Sequence, residues 1–399
     1  MFVRVKGVHL TLNGAPFYAN GFNAYWLMEV ASNPDQRSKV TRAFHEAVSS
    51  SLTIGRTWAF SDGGSNALQY SPGVYNENMF QGLDFALFEA RKFGIKLILS
   101  LTNNFNDYGG KDQYVKWAKE RGQNIQNEDS FFTNPMVKSF YKNHIKTILT
   151  RRNTITGIVY KDDPTILAWE LMNEPRCPSD TSGATIQNWI SEMACYLKSI
   201  DGNHLLEVGL EGFYGASSSQ KNPFNFNHGT DFIANNQIPE VDFTTIHSYP
   251  DRWVPNLDNA AQLNFLRKWI YDHIVDAQEV LHKPLLFAEF GKSWKQPGYN
   301  VTQKDQLYDV VFSSVYKSAR EYGVAFGGLF WQQLVRGMDS YKDGYEVILS
   351  EPSSTVRLIM HQSKKLSIAL TNRESSKTNR LMQPFHNEIG KDLGSSSTI

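Results

Sequence analysis

The most informative stretch for the fold is Thr165–Arg176, which reads T-I-L-A-W-E-L-M-N-E-P-R. Its first part has the apolar density of a buried strand, but it ends in an amide, a carboxylate and a proline, which do nothing to extend a sheet. Pro284–Gly291, P-L-L-F-A-E-F-G, again runs apolar residues into a glutamate and stops at a glycine. Both stretches predict buried strands whose ends carry side chains that serve something other than sheet formation.

Runs of this kind recur along the chain and alternate with longer amphipathic stretches. The predicted strands are Phe17–Asn23, Leu52–Trp58, Ile95–Leu101, Ile166–Asn173, His204–Gly209, Val241–His247, Pro284–Glu289 and Val324–Trp331. The predicted helices between them are Ser38–Ser49, Phe80–Phe93, Met136–Thr150, Ile186–Ser199, Gln262–Leu281 and Gln303–Tyr322. This alternation indicates parallel pairing through right-handed crossovers, and a chain of 399 residues favours closure into an α/β fold of the (β/α)8 or TIM-barrel type.

An open, doubly wound sheet is the chief alternative. It is disfavoured because no predicted strand is followed by a glycine-rich phosphate turn of the G-x-G-x-x-G or Walker type. The pattern predicts one catalytic domain over residues 1–372, which ends with a helix around Ser354–Ala369. From about Arg373 the composition shifts to Ser, Thr, Asn and Lys, so residues 373–399 are expected to form a polar, disordered tail.

In a barrel the functional residues lie at the C-terminal ends of the strands. The predicted strand ends carry Asn23 and Tyr25, Arg56 and Trp58, Asn103 and Asn104, Asn173 and Glu174, Glu211, His247 and Tyr249, Glu289, and Trp331 and Gln332. Polar or aromatic groups at every strand end are hard to attribute to packing. The set therefore predicts a catalytic site.

Two strand-end carboxylates facing each other across a cleft are what glycoside hydrolysis requires. One must be protonated to donate to the leaving oxygen, and the other ionised to attack the anomeric carbon; a separation of ~5–5.5 Å gives retention and ~6.5–9.5 Å inversion. Glu174 and Glu289 end the fourth and seventh predicted strands, and either spacing remains open. Arg56 and Tyr249 are placed to hold Glu289 ionised, while an apolar flank would keep Glu174 protonated.

Neighbouring strand-end residues add groups that suit a sugar. The Asn173 amide is able to bind a hydroxyl, and the Trp331 indole is able to stack on a ring. Single members of the set also have purely structural explanations: Arg56 could bridge buried carboxylates, with Glu170 as its partner, and His247 could be an ordinary buried histidine.

Charge and composition exclude several partner classes. The chain has 40 basic and 40 acidic residues, a formal net charge of zero, which argues against nucleic acid or an anionic membrane. No apolar run is long enough to span a membrane, and M-F-V-R-V-K-G is not a signal peptide. The sequence shows no metal-binding H-x-x-x-H or Cys/His cluster, and no cofactor is expected. Aromatic residues make up 13% of the chain, and several stand beside Asn, Gln and Gly, which suits a sugar-binding cleft.

The two cysteines and one sequon bear on the compartment. Cys195 lies in the helix that follows Cys177, ~15 Å further along at the helical rise, so two free thiols are expected. The sequon Asn300-Val301-Thr302 permits glycosylation of a secreted protein.

Several motifs stand out together: G-R-T-W-A-F at 55–60, W-E-L-M-N-E-P-R at 169–176, I-H-S-Y-P at 246–250, F-A-E-F-G-K at 287–292 and G-G-L-F-W-Q at 327–332. With them stand N-G-F-N-A-Y-W near the start and G-G-K-D-Q-Y-V-K-W in a predicted loop at 109–117. In combination they resemble the plant endo-β-1,4-mannanases of glycoside hydrolase family 5, clan A, from about Val5 to Leu370.

The resemblance implies a retaining double displacement on mannan, with Glu174 as acid/base and Glu289 as nucleophile. It further implies the following roles: Asn173 binding the sugar 2-hydroxyl, His247 contacting the acid/base, Tyr249 and Arg56 orienting the nucleophile, and Trp331 forming the platform. More distant substrate contacts are implied for Trp58, Tyr25, Asn104, Glu211 and Arg176. Family members are secreted to the cell wall, so the resemblance implies an extracellular enzyme whose leader has been removed. We expect a monomer or a weak dimer.

Two alternatives stay open from sequence alone. An endo-β-1,4-glucanase of the same clan would use the same catalytic pair, and only the loops favour mannan. A non-catalytic protein that binds wall polysaccharide is the alternative from another class. If a mannan hydroxyl competes with water for the intermediate, the enzyme transfers chains as well as cutting them.

Overall fold

The computed structural model describes residues 1–381, with side chains as far as Ile368. Its centre is an eight-stranded sheet. In chain order the strands are β1 (Gly21–Asn23), β2 (Ile54–Trp58), β3 (Lys96–Ser100), β4 (Ile166–Glu170), β5 (Leu205–Glu207), β6 (Thr244–Ser248), β7 (Leu285–Phe290) and β8 (Ala325–Phe330). They pair in parallel in the order β5-β4-β3-β2-β1-β8-β7-β6. Each predicted strand is present, and the predicted (β/α)8 barrel is confirmed.

The barrel closes where β5 meets β6. There the strands are joined by single backbone hydrogen bonds: Asp242 donates its N–H to Leu206 O at 2.8 Å, and His247 donates to Glu211 O at 2.9 Å. The second bond ties the end of β6 to the segment that follows β5. The closure thus brings two of the predicted site residues side by side.

Helices surround the barrel, each long one packed through an apolar face. They are Leu27–Ser32, Arg37–Ser49, Glu77–Phe93, Gly110–Glu120, Pro135–Thr150, Ala184–Ile200, Phe232–Asn236, Pro250–Trp253, Asn259–Asp276, Val301–Glu321 and Ser354–Leu381. Short 3-10 turns are Pro34–Gln36, Glu128–Phe131, Tyr160–Asp162, Ala216–Lys221, Pro223–Asn225 and Asp339–Tyr341, and a π-helical turn is Ala277–Leu281.

One predicted loop is a helix. The sequence at 109–117 is predicted to be a loop, but Gly110–Glu120 is helical. Tyr114, Trp117 and Ala118 are buried at the i, i+3, i+4 spacing of one helical face, so packing stabilises the segment. The glycines lie at its first turn, where Gly109 and Gly110 both have positive φ.

Three small sheets lie outside the barrel. An antiparallel sheet joins Arg4–Lys6, His9–Leu12 and Ala15–Pro16. Gln69–Ser71 pairs with Val74–Tyr75, and Gln333–Leu334 pairs with Val347–Ile348.

The last helix begins at the predicted residue, Ser354, but continues to Leu381. Residues 373–381, which composition had assigned to the tail, therefore belong to this helix. The remainder of that predicted tail lies outside the described residues. Within residues 1–381, none of the helices has the length and apolar character that crossing a membrane requires.

Most of the abundant aromatic residues form the core. Trp26, Trp169, Trp189 and Trp269 are among the largest fully buried side chains. The high tryptophan count therefore mainly reflects packing between barrel and helices. Only a minority of the aromatic side chains face the cleft described next.

Candidate active site

A cleft of about 900 Å³ opens at the C-terminal ends of the barrel strands. The sequence-predicted residues that line it are Tyr25, Trp58, Asn103, Asn173, Glu174, Arg176, Glu211, Tyr249, Glu289 and Trp331. The other five residues of the predicted set are buried next to lining residues: Asn23, Arg56, Asn104, His247 and Gln332. One cavity thus collects side chains from separate strand ends, as the barrel topology predicts.

Glu174 and Glu289 face each other across this cleft. One oxygen of each carboxyl group and one ring nitrogen of His247 all lie within 4.8 Å of one another. This separation suits a retaining glycosidase, which requires ~5–5.5 Å, and is too short for the inverting range of ~6.5–9.5 Å. Of the two spacings that the sequence left open, this distance favours the retaining one.

Glu174 is held in place by backbone geometry. It follows β4 with a left-handed φ of 52°, and its N–H donates to Gly209 O at 2.9 Å. A non-glycine residue with positive φ is uncommon and needs support from its surroundings. The loop after β5 gives that support and turns the Glu174 side chain towards Glu289.

Glu289 accepts hydrogen bonds on both carboxylate oxygens. Arg56 Nη1 lies 2.5 Å from Oε1, and the Tyr249 hydroxyl donates to Oε2 at 2.7 Å. Burial, reinforced by the neighbouring Glu174, raises the pKa of Glu289, although His247, Arg56 and the Tyr249 hydrogen bond act to lower it. These donors favour the ionised form.

Glu174 is surrounded differently. Its Oε1 lies 2.6 Å from Nδ1 of His247. Burial raises the pKa of Glu174 and lowers that of His247, which favours a neutral imidazole beside this carboxyl group. Because Glu289 alone has a guanidinium in direct contact, it ionises before Glu174, and the two carboxyl groups are poised as base and acid.

Arg56 organises the floor of the site. Its guanidinium donates to Glu170 through two hydrogen bonds of 2.6 and 2.7 Å, to Asn173 Oδ1 at 2.7 Å and to Asn23 Oδ1 at 3.0 Å, in addition to Glu289. All five of its N–H donors are used. The structural explanation of Arg56, a bridge to Glu170, therefore holds together with its contact to Glu289.

A second acid lies beside Glu170. Burial opposes ionisation of Glu170, but Arg56 lowers its pKa to about 2. Burial and the neighbouring Glu170 raise the pKa of Glu207 well above its ordinary value. Glu207 Oε2 accepts from the Gly209 N–H at 2.5 Å, which leaves Oε1 to carry a proton. Glu207 is thus favoured in its neutral form beside the charged pair of Arg56 and Glu170.

Arg176 and Glu211 form an ion pair on the Glu174 side of the cleft. Nε and Nη2 of Arg176 lie 2.7 and 2.6 Å from the two Glu211 oxygens. The Arg176 backbone is held as well: its N–H donates to Asn104 Oδ1 at 3.2 Å, and Lys111 Nζ donates to its carbonyl at 3.1 Å. Asn104, predicted as a substrate contact, is thus placed to support this backbone.

Trp331 also lines the cleft and follows the strand β8, next to the strand that carries Glu289. Its Nε1–H donates to Asp343 Oδ2 at 2.6 Å. Tyr25 stacks on it with ring centroids 5.6 Å apart, and Trp58 lies 6.1 Å away. The three rings form one aromatic wall of the cleft.

The sequence analysis missed several residues that line the cleft. They are Phe105, Asp107, Tyr108, Phe213, Phe226, His228, Arg252, Trp253, Ser293, Lys295, Gln296, Asp343 and Tyr345. All lie in segments beyond the strand ends, where spacing gives no signal. Phe105, which directly follows Asn104, and Phe213, two residues after Glu211, are the nearest of these in sequence to predicted site residues.

Glu174, His247 and Glu289 are also close enough to ligate a metal ion. Arg56 already brings a positive charge to Glu289 at 2.5 Å, so the cluster is accounted for as a hydrogen-bonded acid pair. Both thiols are free; Cys177 is buried and Cys195 exposed.

Comparisons with the sequences of known proteins point to one family. Residues 1–342 match the family described as GH family 5 beta-mannosidase-like. The chain is 62% identical over 370 residues to mannan endo-1,4-beta-mannosidase 1 of Oryza sativa subsp. japonica, covering 92% of this chain and 86% of that protein. It is 62% identical over 369 residues to mannan endo-1,4-beta-mannosidase 7 of Arabidopsis thaliana, with the same coverage.

Two solved mannanase structures superimpose on this chain. The endo-1,4-beta-mannanase of Rhizomucor miehei superimposes with a TM-score of 0.79 at 32% identity, covering 92% of this chain and all of that one (100%). The endo-beta-1,4-mannanase of Thermotoga petrophila superimposes with a TM-score of 0.78 at 30% identity, over 89% of this chain and 78% of that one.

Proposed function

The chain belongs to the GH family 5 beta-mannosidase-like glycoside hydrolases, and on that premise we propose that it cleaves internal β-1,4-mannosidic bonds of mannan, glucomannan and galactomannan. The names of its relatives support the substrate. The single observation that carries the reaction is the short separation of Glu174 and Glu289. One carboxyl oxygen of Glu174 lies within 4.8 Å of one carboxyl oxygen of Glu289. Side chains that line the cleft on both sides of this pair suit a substrate that continues in both directions, as an endo-acting enzyme requires.

In the first step Glu289 attacks the anomeric carbon. The bond from that carbon to the leaving oxygen breaks as Glu174 gives its proton to this oxygen, and an ester joins the sugar to Glu289. Arg56 and Tyr249 orient the attacking carboxylate through bonds of 2.5 and 2.7 Å. His247 holds Glu174 at 2.6 Å.

In the second step Glu174, now ionised, takes a proton from water, whose oxygen attacks the same carbon. The ester bond breaks and Glu289 leaves as a carboxylate, so two inversions give net retention. A mannan hydroxyl in place of water gives transfer rather than hydrolysis. The same proton balance applies, because the hydroxyl gives its proton to Glu174.

The remaining residues bind substrate in this proposal. Asn173 contacts the 2-hydroxyl of the reacting sugar and Trp331 stacks on its ring. The more distant contacts proposed are Tyr25, Trp58, Asn104, Arg176 and Glu211. Residues 1–372 form the catalytic domain, together with the rest of the helix that ends at Leu381. The protein works outside the cell, because polymeric mannan does not cross a membrane. It acts as a monomer or weak dimer.

The test replaces each glutamate separately. Glu289→Ala and Glu174→Ala are expected to abolish turnover of mannohexaose, and azide is expected to restore part of the activity of Glu289→Ala by attacking the vacated face, giving the α-mannosyl azide. The exposed Glu279 supplies a control, Glu279→Ala, which should cut at the wild-type rate. Near-normal rates in either catalytic-site variant, with the fold intact, contradict the assignment. Cleavage of cellohexaose but not mannohexaose would replace the substrate by glucan.

A further inference from the structure

A row of aromatic rings continues the cleft outward from Arg176. Phe213 lies with its ring centroid 4.6 Å from that of His228, Phe226 lies 5.7 Å from His228, and Phe224 lies 5.8 Å from Phe226. Arg176 lies over the Phe213 ring, with Cζ 5.7 Å from its centroid. We call Phe213, His228, Phe226 and Phe224 the outer aromatic row.

The outer end of the row is exposed. Phe224 is 58% and Phe226 38% exposed, although large apolar side chains are usually buried. Phe213, His228 and Phe226 line the same cleft as the carboxyl pair. The row is therefore continuous with the proposed substrate path.

The loop that carries these rings has a defined shape. Asn222 is buried, accepts the Tyr214 N–H on Oδ1 at 2.8 Å, and donates Nδ2 to Tyr214 O at 2.8 Å and to Phe226 O at 2.7 Å. Phe224 and Asn225 both take left-handed φ values, 51° and 57°. Non-glycine residues in this conformation are costly and persist where the surroundings enforce them. The loop thus holds two phenylalanines in the open instead of folding them inward.

The direction of the row follows from the chemistry of the acid. Glu174 protonates the leaving oxygen, so the sugars that depart lie on its side of the scissile bond. Arg176 follows Glu174 by two residues and lies over Phe213, so the row begins beside the acid and continues outward through His228 and Phe226. Burial, with a smaller contribution from Arg176, lowers the pKa of His228 to about 4. It is a neutral ring at ordinary pH, able to donate to or accept from a hydroxyl.

We propose that Phe224, Phe226 and His228 form an outer binding site for β-1,4-linked mannosyl units on the leaving-group side, beyond the sugar next to the scissile bond. This inference rests on the proposed function. Apolar ring faces pack on the C–H faces of the sugar, and the imidazole binds its hydroxyl rim. A chain bound there as an acceptor is also positioned to compete with water for the intermediate.

The test follows the position of the cut in mannohexaose labelled with ¹⁸O at its reducing end. In Phe224→Ala/Phe226→Ala the outer site is lost, so chains should bind with fewer sugars on the leaving side. We expect cuts to shift towards the reducing end, kcat/KM for mannohexaose to fall about fivefold to tenfold, and products longer than the input to decrease. Hydrolysis of an aryl β-mannobioside, whose leaving group is too short to reach the row, should stay within about twofold of wild type.

Two matched variants keep the test decisive. Phe226→Trp retains an aromatic face and should keep the wild-type cleavage pattern. Tyr271→Ala removes a ring that is 66% exposed on the helix Asn259–Asp276 and should change nothing. Two results overturn the outer site: an unchanged cleavage pattern in Phe224→Ala/Phe226→Ala, or an equal fall in kcat/KM in Phe226→Trp and in that double variant. A wild-type protein that fails to cut mannohexaose would instead contradict the proposed function.

Discussion

The hydroxyl of Tyr249 donates to Glu289 Oε2 at 2.7 Å, while Arg56 occupies the other oxygen of the same carboxylate. Glu289, the proposed nucleophile, is therefore fixed by one neutral and one charged donor. Tyr249→Phe removes the neutral donor and leaves the ring in place. A hydrogen bond to a charged group contributes about 1.5–3 kcal/mol, so we expect kcat to fall about tenfold to hundredfold.

The pH profile of Tyr249→Phe separates this role from a packing effect. Loss of a donor to the ionised form raises the pKa of Glu289, so the acid limb of kcat/KM should move to higher pH. Measurement of kcat/KM for mannohexaose across pH tests this. A variant with a lower rate but an unmoved acid limb would show that Tyr249 acts through packing alone.

The barrel and the floor of the site were predictable because they depend on short-range patterns. A buried parallel strand needs an apolar run, and barrel topology brings the strand ends together, so Glu174 and Glu289 could be paired from sequence. Arg56 was also recognisable, since an arginine within an apolar strand requires buried partners.

The outer parts of the cleft were not predictable in this way. Asp343 and Phe226 lie in loops, where neither periodicity nor strand position marks a residue, and their contacts depend on how the loops fold over the barrel. The helix Gly110–Glu120 begins beside two glycines, Gly109 and Gly110, and glycine has a low helix propensity. Burial of Tyr114 and Trp117 in the folded protein outweighs this local preference.

Asp343 supports the Trp331 platform. It accepts the indole N–H at 2.6 Å on Oδ2 and the Tyr345 N–H at 2.9 Å on Oδ1. Asp343→Ala frees the indole, and we expect KM for mannohexaose to rise about threefold to tenfold with a smaller change in kcat. Asp343→Asn keeps an acceptor oxygen and should lose less. Equal KM values for Asp343→Ala and wild type would show that the platform needs no such anchor.

Glu207 makes folding stability depend on pH. Its folded-state pKa is raised by burial and by Glu170, whereas in the unfolded chain it titrates at about 4.3. Between these values the folded state holds one more proton, so its contribution to the free energy of unfolding is full below the unfolded pKa and is lost as pH rises towards and through the folded one. Glu207→Gln removes this dependence.

Thermal unfolding of Glu207→Gln and wild type, measured from about pH 4.5 upward, should therefore give different slopes. The Tm of Glu207→Gln minus the Tm of wild type is expected to increase as pH increases. Glu279→Gln changes an exposed carboxyl and serves as the control, with a slope like that of wild type. Parallel curves for Glu207→Gln and wild type would mean that Glu207 is ionised in the folded protein.

Gly209 allows the chain after β5 to pass close to the segment Met172–Glu174, which carries the proposed acid/base. Its φ is 93°, and a Cβ at this position would lie 1.8 Å from Met172 O. The Gly209 carbonyl accepts the Glu174 N–H at 2.9 Å, so any shift of this residue moves Glu174. We expect Gly209→Ala to lower the free energy of unfolding by about 2–4 kcal/mol, from the steric clash and the strained φ together, and to reduce kcat. Gly202→Ala is the control, because a Cβ there meets nothing within 4 Å. Chemical denaturation of both variants compares them directly, and equal stabilities would show that β4 and β5 can separate without cost.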